Sequence, residues 1–256
     1  MPEGTPFTKV GRTEDLGATV VLEGTDFNAA RDAAIAHAEA TGKLFIAPFD
    51  DEHVIAGQGT VALEFLEDVP DLDAMIVPIG GGGLMAGCAV AAHAHDPRIE
   101  MVGAQAGLFN SMAAAIAGKP YSGGGTTIAE GIAVKVPGEI TQPIIAEHVS
   151  EIAELSEEQL EAAVLLLAEG HRIVAEGAGA SGVAALLAAG SKFAGKKVGI
   201  VVSGGNIDSR LLSNVLLRGL VRGGRMVSLR IKMTDKPGML SEVAGLIGGL
   251  GGNILE

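Results

Sequence analysis

Four consecutive glycines, Gly80, Gly81, Gly82 and Gly83, stand in VPIGGGGLMAG between an apolar run and a helix-like stretch. Residues without a Cβ let backbone N–H groups converge on one anion, and a helix that follows adds its positive end. A phosphate cradle is the chemistry this spacing offers. The run is neither G-x-x-x-x-G-K-[ST] nor the dinucleotide fingerprint, and a tight loop serving only chain reversal is the alternative. A second glycine-bearing stretch, VGIVVSGGNIDSRLL, presents Ser203, Gly204, Gly205 and Asn206 after another apolar run. A hydroxyl there would stand at the carboxyl edge of the same sheet, where ligands of open α/β sheets bind. Two such ends point to one cleft.

Other residues of chemical interest read as structural. His93 and His95 in AAHAHD lie two apart, which turns them to different faces of a helix, so exposed rings at a helix end are expected and no metal site. Cys88 follows the glycine loop on an apolar helical face and is expected in the core. Asp96 and Glu100 are expected as solvated charges.

The elements that must hold the two loops are visible as alternating patterns. ATVVLEG, KLFIAPF, DAMIVPIG, RIEMVGAQ and KKVGIVVSGG are short apolar runs rich in valine and isoleucine, as strands covered on both faces should be. Between them lie DFNAARDAAIAHAEATG, GLMAGCAVAAHAHDP and the long SEEQLEAAVLLLAEGHRIVAEGAGASGVAALLAAG. In the first, Asp26 can cap, Ala30, Ala34, Ile35 and Ala38 share a face, and Gly42 ends the helix. Strand, helix, strand, helix implies an α/β fold with a parallel sheet. Composition shifts near residue 223: VRGGR reads as a linker, MVSLRIKM alternates like a half-exposed strand, and TDKPGMLSEVAGLIGGLGGNILE gives a turn and an amphipathic helix. This last part reads as a small domain cut short.

Length and charge bound the partners. The 256 residues are 48% hydrophobic and 19% charged, enough for one sizeable core and a piece of a second domain. A net charge of -13 with no basic run argues against nucleic acid or an anionic membrane surface and for small-molecule partners. One cysteine excludes an internal disulfide, and no stretch reaches the roughly 18 apolar residues of a spanning helix. With no secretory leader pattern at its start, a cytoplasmic setting is expected.

Seven segments in order, MPEGTPFTKV, ATVVLEG, PFDDEHVIAGQGT, VPIGGGGLMAG, GTTIAEGIAVK, AEGAGASGVAAL and SGGNID, resemble threonine ammonia-lyase, also called threonine dehydratase, from Met1 to about Arg222. The resemblance implies a pyridoxal-phosphate enzyme of the tryptophan-synthase β-like fold. Residues 1–50 would be the remainder of its small domain, 51–222 its large cofactor-binding domain, and 223–256 a linker with a partial ACT regulatory domain. It implies that Gly80 to Gly83 and the Leu84 amide hold the cofactor phosphate and that Ser203 faces the pyridine nitrogen. Gly57, Gln58, Gly59, Glu176 and Gly204 would line the cofactor cleft, although a solvated carboxylate before a glycine turn also accounts for Glu176. The implied reaction takes L-threonine to 2-oxobutanoate and ammonia, and L-serine to pyruvate. The family is usually dimeric or tetrameric, so a homo-oligomer is implied for the full-length protein.

The resemblance also leaves a part out. The family's Schiff-base lysine stands in an S-F-K-x-R-G-A segment and its substrate carboxylate is gripped by an S-x-G-N-H loop, both upstream of MPEGTP. None of Lys9, Lys43, Lys119, Lys135, Lys192, Lys196, Lys197, Lys232 or Lys236 stands in such a motif. Lys9 matches a structural position, and the others are expected in polar, exposed contexts. The chain is therefore expected to be an internal fragment, with Met1 an internal methionine, and inactive alone; a non-catalytic sensing homologue is the other reading. The tail LRIKMTDKPGMLSEVAGLIGGLGGNILE looks like the opening of an ACT domain, which would make Asp235, Pro237 and Gly238 effector candidates, although a turn and helix start also account for Pro237 and Gly238. Serine racemase, of the same fold, has a cation site whose carboxylate position is Gln105 here, which removes that ligand.

Overall fold

The computed structural model describes residues 1–5, 7–25 and 27–254, and the chain divides into two compact units, Met1–Asp208 and Ser209–Glu256. In the first unit, strands β1 (Ala74–Pro78), β2 (Glu100–Ala106), β3 (Glu151–Leu155) and β4 (Val198–Ile200) form one parallel sheet in the order β3-β2-β1-β4. Every residue of β1 is buried, as an apolar strand under helices must be. The chain moves outward from β1 through β2 to β3, then returns to lay β4 on the other side of β1. Such a reversal opens a crevice at the carboxyl ends of the two strands that flank it.

Among the described residues the unit has eight α-helices: α1 (Phe7–Asp15), α2 (Phe27–Thr41), α3 (Glu52–Asp68), α4 (Gly83–His95), α5 (Ser111–Ile116), α6 (Thr141–His148), α7 (Glu157–Leu166) and α8 (Gly177–Ala188). Local chemistry sets their starts. The Asp51 carboxylate accepts from the His53 and Val54 amides at 2.9 and 3.1 Å to open α3, and Ser156 with Gln159 forms a reciprocal capping box on α7. Asp26 lies outside the described residues. The core joins Met75, Val77 and Ile79 to Met85 and Ala89 of α4 and to Ile55, Ala62 and Leu66 of α3. Cys88 belongs to it, and burial pushes its thiol up to about 11. No helix among the described residues is long and apolar enough to cross a membrane.

Glu100 departs from its expectation as a solvated charge. At the amino end of β2 its carboxylate meets Lys192 at 2.7 Å and Lys196 at 3.0 Å, and Lys192 also reaches Glu151 at 2.7 Å. Hydrogen bonds from Lys192 first, then Lys196, hold the Glu100 carboxyl below its ordinary value. A depressed folded-state pKa contributes stability in full above the ordinary glutamate value and loses it as pH falls through the lowered one. Glu100→Gln is expected to cost about 1 kcal/mol or less at neutral pH, because the cluster is partly solvated. The difference should vanish in acid; thermal unfolding across pH checks this, and a cost that persists below the carboxylate range would refute it. Asp96 likewise has a partner: hydrogen bonds from Arg98 hold its carboxyl at about 2.

Four regions of this unit depart from the sequence pattern. Residues 18–24 and 43–49 make no ladder among the described residues. The chain start bonds to the first of them instead: the Met1 amino group donates to Val21 O at 2.7 Å, Glu23 N to Met1 O at 2.9 Å and Glu3 N to Gly24 O at 2.9 Å. Val21, Leu22, Leu44 and Ile46 consequently stay exposed, since apolar composition supplies a strand's faces but not its hydrogen-bonded neighbour. β3, by contrast, has no counterpart among the apolar runs. Finally, the long run 156–190 is two helices, for α7 passes through a π-turn (Leu167–His171) to Arg172, whose left-handed φ of 58° ends it before α8.

The second unit contains α9 (Ser209–Arg222) and α10 (Met239–Gly249). Residues 226–233, expected as a strand, join no ladder among the described residues, and Val227, Leu229, Ile231 and Met233 are exposed. Asp235, Pro237 and Gly238 are exposed in the turn before α10, where Gly238 takes the φ of 91° that starts the helix.

Candidate functional site

A cleft of about 610 Å³ opens at the crevice between β1 and β4. One wall is the loop after β1 and the first turn of α4, Gly80 to Leu84; the facing end supplies Ser203, just past β4. The segment Glu130–Val136 closes a side, and Phe49, Gln58 and Glu176 also line the space.

Three of the four glycine positions exclude a side chain, and Gly80 leaves little room for one. A Cβ at Gly80 would stand 3.1 Å from Ile132 Cα, and one at Gly81 would overlap the Phe49 ring. At Gly82 it would meet Thr141 Oγ1 at 2.6 Å, on a backbone whose φ of 103° already disfavours any residue but glycine, and at Gly83 it would meet Phe49 O at 2.8 Å. The loop is therefore clamped between Phe49, the 132–134 segment and Thr141 with its backbone against its neighbours. Gly82 is the N-cap of α4 and offers no side-chain cap. Among the described residues, the amides of Gly81, Gly82, Gly83 and Leu84 find no acceptor. Uncapped N–H groups at the positive end of a buried helix can serve as an anion site, and the absence of four side chains lets the loop pack against Phe49, Thr141 and the 132–134 segment while its amides stay without an acceptor. The residues fit a phosphate-bearing cofactor.

The opposite wall places a hydroxyl beside a carboxylate. Ser203 lines the cleft, and Glu176, the residue before α8, lines it too. The Glu176 amide donates to Gly204 O at 3.1 Å, which ties the start of α8 to the loop after β4. Its Oε1 lies against Gly131 and Gly204: a Cβ at Gly204 would come within 2.5 Å of that oxygen and one at Gly131 within 3.3 Å. Glu176 thus has a defined place rather than the free solvation of a surface carboxylate.

The other expected residues divide. Gln58 lines the cleft, whereas Gly57, Gly59 and Gly204 are not among its lining. Gly59 instead serves the packing of α3 on α4, since a Cβ there would stand 2.9 Å from Gly87 O. Of the nine lysines, Lys9 pairs with Glu130 at 3.9 Å, and Lys135 lines the cleft, between Val134 and Val136 and not in the polar context expected of it. His93 is not an exposed ring: its Nδ1 lies 3.0 Å from His148 Nδ1 and its Nε2 3.3 Å from Ile99 O. Gln105 is fully buried and accepts from the Ala113 amide at 3.1 Å. No group of three or more His, Cys, Asp or Glu among the described residues is arranged for a metal ion. Phe49, Thr141 and Asp50, which shape the loop from afar, were missed because nothing local marks them; only the close approach demanded by the glycines hints that something must fill the space.

The family model described as pyridoxal-phosphate dependent enzyme matches residues 1–204. The L-threonine ammonia-lyase of Thermotoga maritima is 43% identical over 266 residues, which cover 100% of this chain and 64% of that protein. The L-threonine dehydratase catabolic TdcB of Escherichia coli K12 is 41% identical over 219 residues, 84% of this chain and 67% of that one. Among solved structures, a T.th. threonine deaminase superimposes with a TM-score of 0.74 at 36% identity, covering 81% of this chain and 69% of its own. The chain thus spans 64% of the length of the Thermotoga relative.

Proposed function

The chain belongs to the pyridoxal-phosphate dependent enzymes, and we propose that it carries the cofactor-phosphate half of a threonine ammonia-lyase, acting on L-threonine and, by the same path, L-serine. The observation that carries this reading is the set of acceptorless amides at the start of α4, facing Ser203 across the crevice. In it, Gly81, Gly82, Gly83 and Leu84 N–H groups, with Gly80 giving the close approach, hold a phosphate. Ser203, which lines the cleft, would stand at the ring nitrogen; being neutral, its hydroxyl would not hold that nitrogen protonated as a carboxylate would, which favours elimination over transamination. When bound, the cofactor supplies an electron sink for charge developing at the substrate Cα. Glu176, which also lines the cleft, would be the carboxylate to accept or return a proton there. Phe49 and Gln58 line the same cleft.

The net conversion is L-threonine to 2-oxobutanoate and ammonia. The amine that bonds the cofactor comes, in this reading, from a segment outside these 256 residues, and residues 1–50 are part of a small domain shared with that segment. An amino-acid effector bound near Asp235, Pro237 and Gly238 belongs to the same reading. The relatives' names, L-threonine ammonia-lyase and L-threonine dehydratase, support the substrate.

The test has two parts. Pyridoxal phosphate is titrated into the chain, reduced with borohydride and mapped, and 2-oxobutanoate is assayed with L-threonine. Cofactor binding without a stoichiometric lysine label and without product is expected, with product appearing in a chimera that joins the unmatched part of the Thermotoga enzyme to this chain. Labelling of Lys135 with turnover by the chain alone would overturn the external amine. No cofactor binding by either protein would overturn the whole reading.

A further inference from the structure

The cleft loop is held from behind by a residue that does not line it. Thr141, the first residue of α6, is fully buried, and its Oγ1 donates to Gly81 O at 2.7 Å. The Gly138 amide donates to the same oxygen at 3.1 Å. Neither Thr141 nor Gly138 is among the cleft residues, so the Gly81 carbonyl points away from the cleft. The peptide unit is planar and trans, with C=O and the next N–H on opposite sides. Fixing Gly81 O toward α6 therefore turns the Gly82 N–H the other way, toward the cleft. The φ of 103° at Gly82 is the backbone cost of that orientation.

The anchor is itself anchored. The Asp50 carboxylate accepts from the Glu139 and Ile140 amides, both at 2.9 Å, which locks the start of α6. One residue before, Phe49 packs on Gly81 and Gly83. The segment 49–50 thus presses on the loop directly through a ring and indirectly through α6. A Cβ at Gly138 would stand 2.6 Å from Thr141 Oγ1 and overlap Asp50 Oδ1, so the three groups share one packed arrangement.

We propose that Thr141 is a positioning residue for anion binding: its hydroxyl, through Gly81 O, aims the Gly82 N–H at the phosphate of the cofactor. This rests on the reading of the cleft as a cofactor-phosphate site. A hydrogen bond of this kind makes a modest net contribution in a neutral setting, and an amide turned from a doubly charged group loses more than one turned from water. The effect must fall on phosphate recognition and not on recognition of the ring.

The test compares dissociation constants for pyridoxal 5'-phosphate and for pyridoxal, which lacks the phosphate, in the wild-type chain and in Thr141→Ser, Thr141→Val and Thr141→Ala. The wild-type chain is expected to prefer the phosphorylated form, with inorganic phosphate competing. Thr141→Ser should keep that preference. Thr141→Val, similar in shape without the hydroxyl, should reduce it about tenfold, with pyridoxal affinity unchanged. Thr141→Ala removes the hydroxyl without adding bulk and must follow Val if Val folds poorly. Equal preference in wild type, Val and Ala overturns the inference alone, as does a loss in Ser equal to that in Val. A wild-type chain with no preference for the phosphate overturns the reading of the cleft and this inference with it.

Discussion

Gly82→Ala is expected to weaken pyridoxal phosphate binding by about a hundredfold, roughly 2.7 kcal/mol. Two costs combine. An alanine held at a φ of 103° carries the left-handed penalty, on the order of 1–2 kcal/mol. The new Cβ would also stand 2.6 Å from Thr141 Oγ1 and 2.8 Å from Met112 Cε, and both of those residues are fully buried, so neither moves freely. The loop relieves both by rotating Gly82 out of its conformation, and the amides it presents turn with it. Equilibrium dialysis against the phosphorylated and unphosphorylated cofactor reads this directly. An unchanged dissociation constant for the phosphorylated form would show that the loop does not bind it.

The second large effect falls on the fold. At Gly87, one turn into α4, an added Cβ would stand 2.6 Å from Gly59 N and overlap Ile55 O, both backbone atoms of α3. Backbone cannot swing aside as a side chain end can, so α3 and α4 must separate, and Met85, Ala89, Ile55 and Ala62 lose packing with them. Gly87→Ala should cost about 3 kcal/mol, a large part of the roughly 5–15 kcal/mol available to a domain. The urea midpoint measures it, and a midpoint equal to that of the wild type would mean that the seam is looser than its distances say. Because the proposed anion site lies on the first turn of α4, a variant that does fold should also bind the cofactor less well.

The legible parts of this molecule are those in which one segment carries its own reason. β1 and β2 stand out because nearly every residue is apolar, and the four glycines because no ordinary loop needs so many. Ser203 follows from where its strand ends. β3, EIAEL, is hidden because it is short, lies at the sheet edge with Glu151 exposed, and has Glu154 interrupting its apolar residues. The split between α7 and α8 turns on the single backbone conformation of Arg172, which an alanine-rich pattern hides. Thr141 acts on Gly81 across 60 positions and Asp50 on Ile140 across 90. Neither residue type is unusual in its setting, so only the folded chain shows what each does. The pair His93 and His148, on different helices and 55 positions apart, is of the same kind.

The return of the chain to lay β4 beside β1 sets an order of events. Ala74 pairs with Val198 and Ile76 with Ile200, while Lys197 N donates to the Asp73 carboxylate across 124 positions. Closing a contact of that span is entropically costly and slow relative to local helix formation. The proposed anion site at α4 needs closures of 60 and 90 positions, through Thr141 and Asp50, but the crevice has a second wall only after this longer one. A chain emerging from synthesis or refolding from denaturant would then present a phosphate site before it presents a complete cleft, and the ligand's ring would report the last step of assembly while its phosphate reports an earlier one.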